Sequence, residues 1–523
     1  MRLPGGARLS AETLLATGGP ARAEAVVRLL LSTPNDDVQG VARLRLTLSS
    51  IQIMRRRLTD ALQQAEAVVS EPGLPDELYA AADVDRLHTL VDLRDHRSAR
   101  ELAETILSGH RGRDGHEALA GALTVSGLLA WHDGRLSDAL SLLRAATRRA
   151  DLGNDGPRQL FPRLSAAPVL IAAGQLDIAQ TVVDRARRDV ARLGDRLWAA
   201  GPPTMAALIR LAKGRLRGAS AAASAGLALS ERMGTRLHVP AARSVLMAVA
   251  LLRGRLDEAA EHLEAWRREP PSDSVGVSTG ARLWAEARLA DARDDDATAF
   301  GLVRTLGRDQ GAQRRLFVER PAAAAWLVRA SVAGGDRSLA EAFVRTAEQL
   351  ASINADYAGP AAAARHARGV LEDDAGVLTL AAESHRQPWA RASACEDAGA
   401  AHVGAGNRCV GVPLLVEAQA IYHATGAELD AARVMRRLEE ADRRPRRASR
   451  HAPRFGWASL TETEVRVARA VGAGRTNAEV ARLLYMSRHT VDAHLRKIFQ
   501  KLAIRSRVML ARIVVEQESG PLP

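Results

Sequence analysis

The chain has 523 residues, of which 47% are hydrophobic and 26% are charged, and its formal net charge is +12. Its two cysteines, Cys395 and Cys409, exclude a disulfide framework and a four-cysteine zinc site. No apolar run approaches the roughly 20 residues needed to span a bilayer, and the first residues lack a signal-type apolar core. We therefore expect a soluble, cytoplasmic protein without a membrane partner.

The positive charge lies almost entirely near the end of the chain. Between residues 442 and 512 there are seventeen Arg or Lys but only five Asp or Glu, whereas the first 441 residues carry a net charge of about +2. A nearly neutral body with a basic C-terminal region predicts a polyanionic partner for that region.

Four phrases between residues 133 and 266 share one internal spacing. In each, a glycine is followed two residues later by a leucine and five residues later by an alanine, and the glycines recur every forty residues. The four sets are Gly134, Leu136 and Ala139; Gly174, Leu176 and Ala179; Gly214, Leu216 and Ala219; Gly254, Leu256 and Ala259. Small residues continue this spacing on both sides, at Ala99 and Ala299 and more loosely at Ala23, Ala61, Ala340 and Gly411.

This pattern predicts an all-α fold. Glycine can take the left-handed conformation that ends one helix, and the small residue lets the next helix approach its neighbour closely. A period of forty residues fits two antiparallel helices with their turns, stacked into an α-solenoid over residues 1–440. Alanine-rich helices could repeat a phrase by accident, but four phrases separated by equal intervals of forty residues argue against this. The unit resembles tetratricopeptide-type repeats, although its period is longer than theirs, so the repeat class stays open.

The sequence shows no residues arranged for catalysis. It has no phosphate-binding loop of the G-x-x-x-x-G-K-[ST] type and no H-E-x-x-H motif, and its histidines show no ligand spacing. The three aspartates at 294–296 could suggest a metal, but they occupy the glycine-turn position of their repeat, which favours a solvated turn. We therefore predict no cofactor, no metal site and no enzymatic activity.

The basic region begins with an expected linker and continues into four expected helices. The segment "RRPRRASRHAPRF" at 443–455 combines proline with dense arginine, which predicts a flexible basic linker over residues 441–457. In the domain that follows, residues 458–523, two capping boxes open helices at Thr461 and Thr476. A longer helix over 487–502, with Ser487 as N-cap, carries an apolar stripe of Val491, Leu495, Ile498 and Leu502. A fourth helix is expected from about 506 to 518.

A helix, a short helix, a turn and a long basic helix form the order of a helix-turn-helix. The segment "LTETEVRVARAVGAGRTNAEVARLLYMSRHTVDAHLRKIFQKLAIRSR" resembles the LuxR-type DNA-binding domain. The matching residues are Leu460, Thr461, Glu464, Val467, Gly474, Asn477, Glu479, Val480, Ala481, Leu484, Ser487, Thr490, Val491, His494, Ile498, Lys501, Leu502, Ser506 and Arg507. Two positions depart from the family. Ala503 replaces the usual glycine, so we expect a blunter turn, and Asp492 replaces a residue that is often basic.

The resemblance implies a set of DNA contacts. The family's base-reading positions match Asp492, Ala493 and Arg496, of which Arg496 can bond guanine bidentately and Ala493 can touch a thymine methyl. Asp492 could only accept from cytosine N4 or make no contact. Phosphate contacts are expected from His489, Lys497 and Gln500. The remaining candidate DNA-binding residues are Thr476, Ser487, Arg488 and Thr490.

The fourth helix carries Val508, Met509, Ala511 and Val515. This helix is the usual dimer face in the family, but its apolar residues could equally pack against the first helix of the domain. Both interpretations stay open from the sequence. A homodimer on DNA is what the resemblance implies.

The whole layout is similar to the large ATP-binding LuxR regulators of actinobacteria. Those proteins normally carry an N-terminal nucleotide-binding module, whereas this chain starts in repeats, so we expect a shorter relative or a fragment. The resemblance implies a sequence-specific transcriptional regulator, often an activator, that binds promoter DNA in the major groove. RNA polymerase is a further candidate partner, and the solenoid is expected to sense a ligand or a protein. The alternative is a solenoid scaffold that is tethered non-specifically to DNA.

Overall fold

The computed structural model of the protein describes residues 19–34, 36–109, 115–152, 157–194, 196–269, 278–443, 456–484, 486, 488–504 and 506–518. Within these ranges the regular secondary structure is helical. The chain divides into two compact units, Met1–Ala441 and Asp442–Pro523. No helix in the described ranges combines the length and the apolar character that crossing a bilayer requires.

The first unit is a succession of antiparallel helices. Its helices in the described ranges are α1 (Pro20–Ser32), α2 (Val38–Met54), α3 (Leu58–Val69), α4 (Asp76–Asp92), α5 (His96–Leu107), α6 (His116–His132), α7 (Leu136–Leu152), α8 (Leu160–Ala172), α9 (Leu176–Leu193), α10 (Gly201–Ala212), α11 (Leu216–Met233), α12 (Val239–Leu252), α13 (Leu256–Arg267), α14 (Thr279–Asp291), α15 (Asp296–Gly307), α16 (Gln310–Glu319), α17 (Ala322–Ala333), α18 (Arg337–Ile353), α19 (Ala358–Glu372), α20 (Ala375–Ser384), α21 (Pro388–Gly404), α22 (Arg408–Thr425) and α23 (Glu428–Arg443). A short 3-10 helix, Pro157–Gln159, precedes α8. The predicted all-α solenoid is confirmed.

The turns between paired helices share one backbone conformation. Each contains a residue with positive φ, between 52° and 85°. In chain order these residues are Arg56, Arg94, Gly134, Gly174, Gly214, Gly254, Asp294, Gly335, Asp373 and Gly406. The next N–H closes the turn onto the preceding helix, as Arg135 N does with Ala130 O over 2.9 Å. The repeat therefore continues beyond the four glycines, with arginine, aspartate or a further glycine in the left-handed position.

The small residues that were predicted five positions after the turns are buried. The side chains of Ala61, Ala99, Ala139, Ala179, Ala219, Ala259 and Ala340 are fully buried, and Ala299 is nearly so. At Gly411 even a methyl group would not fit, because an added Cβ would lie 2.7 Å from the carbonyl oxygen of Gly399. Of the leucines two positions after the turn, Leu136 and Leu216 are buried, whereas Leu176 and Leu256 are half-buried.

Turns far apart in the sequence also meet within this unit. Asn354, at the end of α18, donates from Nδ2 to the carbonyl oxygen of Gly134 over 2.7 Å, and Leu136 N donates to Asn354 Oδ1 over 2.8 Å. Similarly, the carbonyl oxygen of Met54 accepts from the backbone N–H groups of Arg236 and Leu237. The forty-residue period did not predict these contacts, because they join repeats that are not neighbours.

The second unit has its own helices and its own core. After a short 3-10 helix, Trp457–Ser459, come α24 (Glu462–Gly472), α25 (Asn477–Leu483), α26 (Arg488–Leu502) and α27 (Arg507–Glu518). The buried apolar residues of this core are Val467, Ala468, Ala470, Val471, Val480, Ala481, Val491, Leu495, Ile498, Leu510 and Val514. The predicted order of four helices is confirmed.

The helices on either side of the expected linker reach into its predicted bounds, residues 441–457. Helix α23 continues through Arg443, because Ala441 is still buried in the first unit, so residues 441–443 are helical. Trp457 belongs to the short 3-10 helix. Residues 444–455, which carry most of the expected linker, lie outside the described residues.

Candidate nucleic-acid interface

Helix α26 has one anchored face and one exposed face. Val491 and Ile498 are fully buried, and Leu495 is 8% exposed. On the other side, four candidate contact residues are exposed to solvent: Ala493, Arg496, Lys497 and Gln500. Because a helical stripe can bury only one side of a helix, the sequence correctly predicted which side stays accessible.

Capping boxes fix the first two helices of the unit. At α24, Thr461 N donates to Glu464 Oε2 over 2.8 Å, and Glu464 N donates to Thr461 Oγ1 over 3.3 Å. At α25, Thr476 N donates to Glu479 Oε2 over 2.7 Å, and Glu479 N returns a bond to Thr476 Oγ1 over 3.3 Å. Both predicted capping boxes are confirmed.

The second box gives the hydroxyl of Thr476 a bond inside the protein. Its hydroxyl donates to Glu479 Oε2 over 2.9 Å. The backbone and hydroxyl bonds from Thr476 also lower the pKa of Glu479, which keeps the accepting carboxylate charged. Since a hydroxyl has one hydrogen to donate, Thr476 as placed cannot also donate to a phosphate. Thr476 is thus the N-cap of α25, as its capping box predicted, and a DNA contact from its hydroxyl, which would have to turn away from Glu479, stays a prediction.

A lysine ties the end of α26 to the start of α24. Lys501 Nζ donates to Glu464 Oε2 over 2.6 Å and to the carbonyl oxygen of Ser459 over 3.0 Å. Burial by itself would raise the pKa of Glu464, but the bonds from Lys501 and Thr461 outweigh it and lower that pKa. Lys501 thus positions α26 from its C-terminal end.

A second polar connection joins three helices near the start of α26. Asn477 donates from Nδ2 to Asp492 Oδ1 over 2.5 Å, and Arg507 donates from Nη1 to Asn477 Oδ1 over 2.8 Å. Arg507 Nη2 also donates to the carbonyl oxygen of Arg475. The expectation that Asp492 either contacts DNA or makes no contact was incomplete. The three residues lie 15 and 30 positions apart, and no local pattern in the sequence links them.

The remaining candidate residues lie at the start of α26. The side chains of Arg488 and Thr490 are exposed. Ser487 and the side chain of His489 lie outside the described residues. The structure therefore brings Arg488, Thr490, Ala493, Arg496 and Lys497 onto one accessible helix.

The turn after α26 is as tight as a glycine turn. Ala503 has φ +54°, and Ile504 N donates to the carbonyl oxygen of Phe499 over 3.0 Å. The expected blunter turn was wrong. The closing bond and the packing of Ile504 against the core hold alanine in a conformation that costs roughly 1–2 kcal/mol for a residue with a Cβ.

Helix α27 has two apolar faces, which explains why the sequence left two interpretations open. Leu510 and Val514 are buried against the rest of the unit, and an added Cβ at Gly472 of α24 would lie 2.8 Å from Val514. Val508 and Val515 are 80% and 60% exposed, and Met509 is also exposed, whereas Ala511 is half-buried. One face packs inside the unit and the other stays open to solvent.

Within the described ranges no group of three His, Cys, Asp or Glu side chains could hold a metal ion. The aspartates at 294–296 form the expected turn: Asp294 has positive φ, and Asp295 caps α15 by accepting from Thr298 N over 3.1 Å.

Comparison with known proteins assigns the second unit. Residues 458–514 match the family described as bacterial regulatory proteins, luxR family. Over 64 residues the chain is 44% identical to provisionally named HTH-type transcriptional regulators of Mycobacterium bovis and Mycobacterium tuberculosis, a segment that covers 12% of this chain and 7% of each relative. It is 37% identical over 59 residues to a nitrate/nitrite response regulator protein homologue of Haemophilus influenzae, covering 11% of this chain and 28% of that protein.

Two solved structures are similar over most of the chain at low identity. The Rap protein complexed with competence and sporulation factor is 14% identical, covering 72% of this chain and 98% of the Rap chain with a TM-score of 0.35. Yeast Tom70 is 10% identical, covering 84% of this chain and 95% of the Tom70 chain with a TM-score of 0.30. Neither likeness bears on what this chain binds.

Proposed function

Because the C-terminal unit is a luxR-family helix-turn-helix domain, we propose that the protein is a sequence-specific DNA-binding regulator of transcription that acts as an activator. The observation that carries this proposal is the exposed face of α26, where Arg496, Lys497 and Gln500 project from a helix whose other face is buried. A major groove admits a helix of this kind. The net charge of +12 between residues 442 and 512 supplies the attraction to phosphate.

The proposed DNA contacts fall into two groups, contacts to bases and contacts to phosphates. Arg496 reads guanine, because its planar guanidinium can bond O6 and N7 together, and Ala493 contacts a thymine methyl. Lys497, Gln500, Arg488 and Thr490 position the helix through phosphates. His489 and Ser487 belong to the same proposed contact set on the family resemblance alone.

The exposed face of α27 supports a homodimer on DNA. Val508, Met509 and Val515 are large apolar side chains open to solvent, and a two-fold dimer would bury them while presenting two recognition helices to two half-sites. The solenoid is proposed to sense a ligand or bind a protein in the cytoplasm. RNA polymerase is the proposed downstream partner.

The decisive experiment selects bound duplexes from random DNA with the full chain and then compares Arg496→Ala on the selected and random sequences. We expect Arg496→Ala to lose about 1–3 kcal/mol on the selected site, concentrated at one base pair in each half-site. The control is Lys497→Ala, which should weaken all sequences about equally.

Equal losses for Arg496→Ala on selected and random DNA would contradict the base-reading role. Failure to select any preferred sequence would favour the alternative function, a solenoid scaffold tethered to DNA without sequence preference.

A further inference from the structure

Asp492 lies at a position that the family resemblance assigns to base reading, yet its carboxylate is bonded within the protein. It accepts from Asn477, and Asn477 in turn accepts from Arg507, over the 2.5 Å and 2.8 Å described above. All three side chains are half-buried. They come from α26, α25 and α27, so this polar chain, Asp492–Asn477–Arg507, connects three of the four helices of the unit.

The chemistry of the three groups fixes the order of this chain. Arginine carries only donors, and an ionised aspartate carries only acceptors. An asparagine amide between them can satisfy both, but only with its oxygen toward Arg507 and its nitrogen toward Asp492. Turning the amide over would leave neither Asp492 nor Arg507 with a bond to Asn477. The observed orientation is the one that the neighbouring charges dictate.

Asp492 also lies at the boundary between the buried face and the exposed face of α26. Val491 before it is fully buried, and Ala493 after it is exposed. A bond from this border to Asn477, the first residue of α25, restrains rotation of α26 about its own axis. Arg496 lies four residues further along the same helix, so a rotation of α26 would carry its guanidinium away from the base that it reads.

The other end of α26 is held separately. Lys501 bonds Glu464 and Ser459 near the C-terminus of the helix. The buried side chains of Val491 and Leu495 hold the N-terminal half by apolar packing, to which the Asp492 bond adds a directional restraint. The two polar connections together restrain both ends of the recognition helix. Recognition groups need this support, because displacements of about 0.5 Å or 10–20° already impair a site.

We propose that Asp492 is a positioning residue: it orients the recognition helix through Asn477 and Arg507, and it does not read a base. This inference rests on the proposed function of the unit. Direct base reading is then carried by Arg496 and Ala493. The negative charge of Asp492 is compatible with bound DNA, because the Arg507 guanidinium lies at the other end of the same polar chain.

The test uses the full chain with Asp492→Ala, Asn477→Ala, the double variant and Asp492→Asn on selected and random duplexes. We expect Asp492→Ala to weaken binding to the selected site about fivefold and Asn477→Ala to weaken it by that factor or more. The double variant should be no weaker than Asn477→Ala, because that substitution already removes the bond to Asp492 together with the bond from Arg507. Base preference should stay unchanged. Asp492→Asn should bind nearly as the parent does, because an amide oxygen can still accept from Asn477.

Gln500→Ala is the matched control for this non-additivity. Gln500 is exposed on the same helix and is proposed to contact phosphate, so its loss should add to that of Asp492→Ala. Rescue by Asp492→Asn also separates positioning from simple unfolding, because both alanine variants and the asparagine variant can be compared by circular dichroism at the assay temperature.

A base-reading Asp492 would behave differently. Asp492→Ala would relax the preference at one base pair, Asn477→Ala would not, and Asp492→Asn would shift that preference toward adenine, which asparagine bonds through N6 and N7. Any of these shifts overturns the inference. If Arg496→Ala still loses more affinity on the selected site than on random DNA, the proposed function survives that result, whereas the absence of any preferred sequence would overturn both.

Discussion

Both units combine apolar packing with polar bonds, such as those of Asn354 in the solenoid, but the contact that recurs along the chain differs between them. In the solenoid, fully buried alanines such as Ala219 and Ala259 let neighbouring helices approach, and backbone bonds close the turns. In the C-terminal unit, specific polar side chains join the helices, as Lys501 does with Glu464 and Asn477 with Asp492. A small residue can be replaced by another small residue, whereas a polar bond needs a particular pair.

This difference explains how far the structure of each region can be predicted from its sequence. Solenoid turns accept arginine at position 94 and aspartate at position 294 in the same left-handed conformation as glycine, so the glycine spacing fades outside residues 134–254. The C-terminal unit keeps its motif residue by residue, and residues 458–514 match a known family. Four predictions test this contrast, beginning with the charge difference between the two regions.

The salt dependence of DNA binding should depend on the basic segment and not on the solenoid. Each phosphate that is neutralised contributes about −0.9 to the slope of log affinity against log salt, so five lost contacts would flatten the slope by about 4.5. The variant replaces Arg443, the last residue of α23, and the expected linker residues Arg444, Arg446, Arg447 and Arg450 with alanine. Titrations of one duplex at several salt concentrations measure the slope, and the sequence preference should stay intact.

The matched control removes five exposed arginines from the solenoid: Arg217, Arg232, Arg304, Arg308 and Arg345. This variant has the same net charge as the linker variant but should keep the parent slope. An unchanged slope in the linker variant would show that this segment stays off the DNA.

Asn354→Ala should destabilise the solenoid by about 2–3 kcal/mol. The substitution leaves the Leu136 N–H and the Gly134 carbonyl oxygen buried without their partner, and Asn354 itself is only 2% exposed. Urea unfolding followed by circular dichroism measures the loss. Asn407→Ala, at an exposed turn, is the control, and equal shifts for both variants would mean that the contact between distant turns contributes nothing.

Ala219→Leu should cost about 1–3 kcal/mol, because the extra carbon atoms have no room in a close helix contact. Ala259→Leu should behave in the same way. The control is Ala225→Leu on the same helix as Ala219, where the side chain is exposed and the change should be within about 0.5 kcal/mol. Thermal unfolding compares them, and similar melting shifts at positions 219 and 225 would show that the small-residue register is misplaced.

Ala503→Gly should stabilise the C-terminal unit by about 1 kcal/mol, because glycine takes the φ of +54° without the steric cost that alanine pays. Ala493→Gly, inside α26, should instead destabilise by about 1 kcal/mol. Hydrogen exchange of peptides from α26 and α27 in the full chain measures both. The same sign for the two substitutions would contradict the left-handed turn.

Much of this protein could be predicted from the sequence alone. The forty-residue spacing predicted paired helices, and the apolar stripe from Val491 to Leu502 predicted the buried face of α26. The two capping boxes predicted where α24 and α25 begin. Each of these features depends on residues within about one helical turn or one repeat of each other, where spacing translates directly into geometry.

Only the tertiary structure decided the roles of the polar residues. Asp492 matched a base-reading position of the family, but its carboxylate accepts from Asn477, which lies 15 residues away in the sequence. The hydrogen bond from Asn354 to the carbonyl oxygen of Gly134 joins residues 220 positions apart. A side chain can bond any partner that the fold brings within about 3 Å, and sequence spacing carries no information about partners that meet only after the helices have packed.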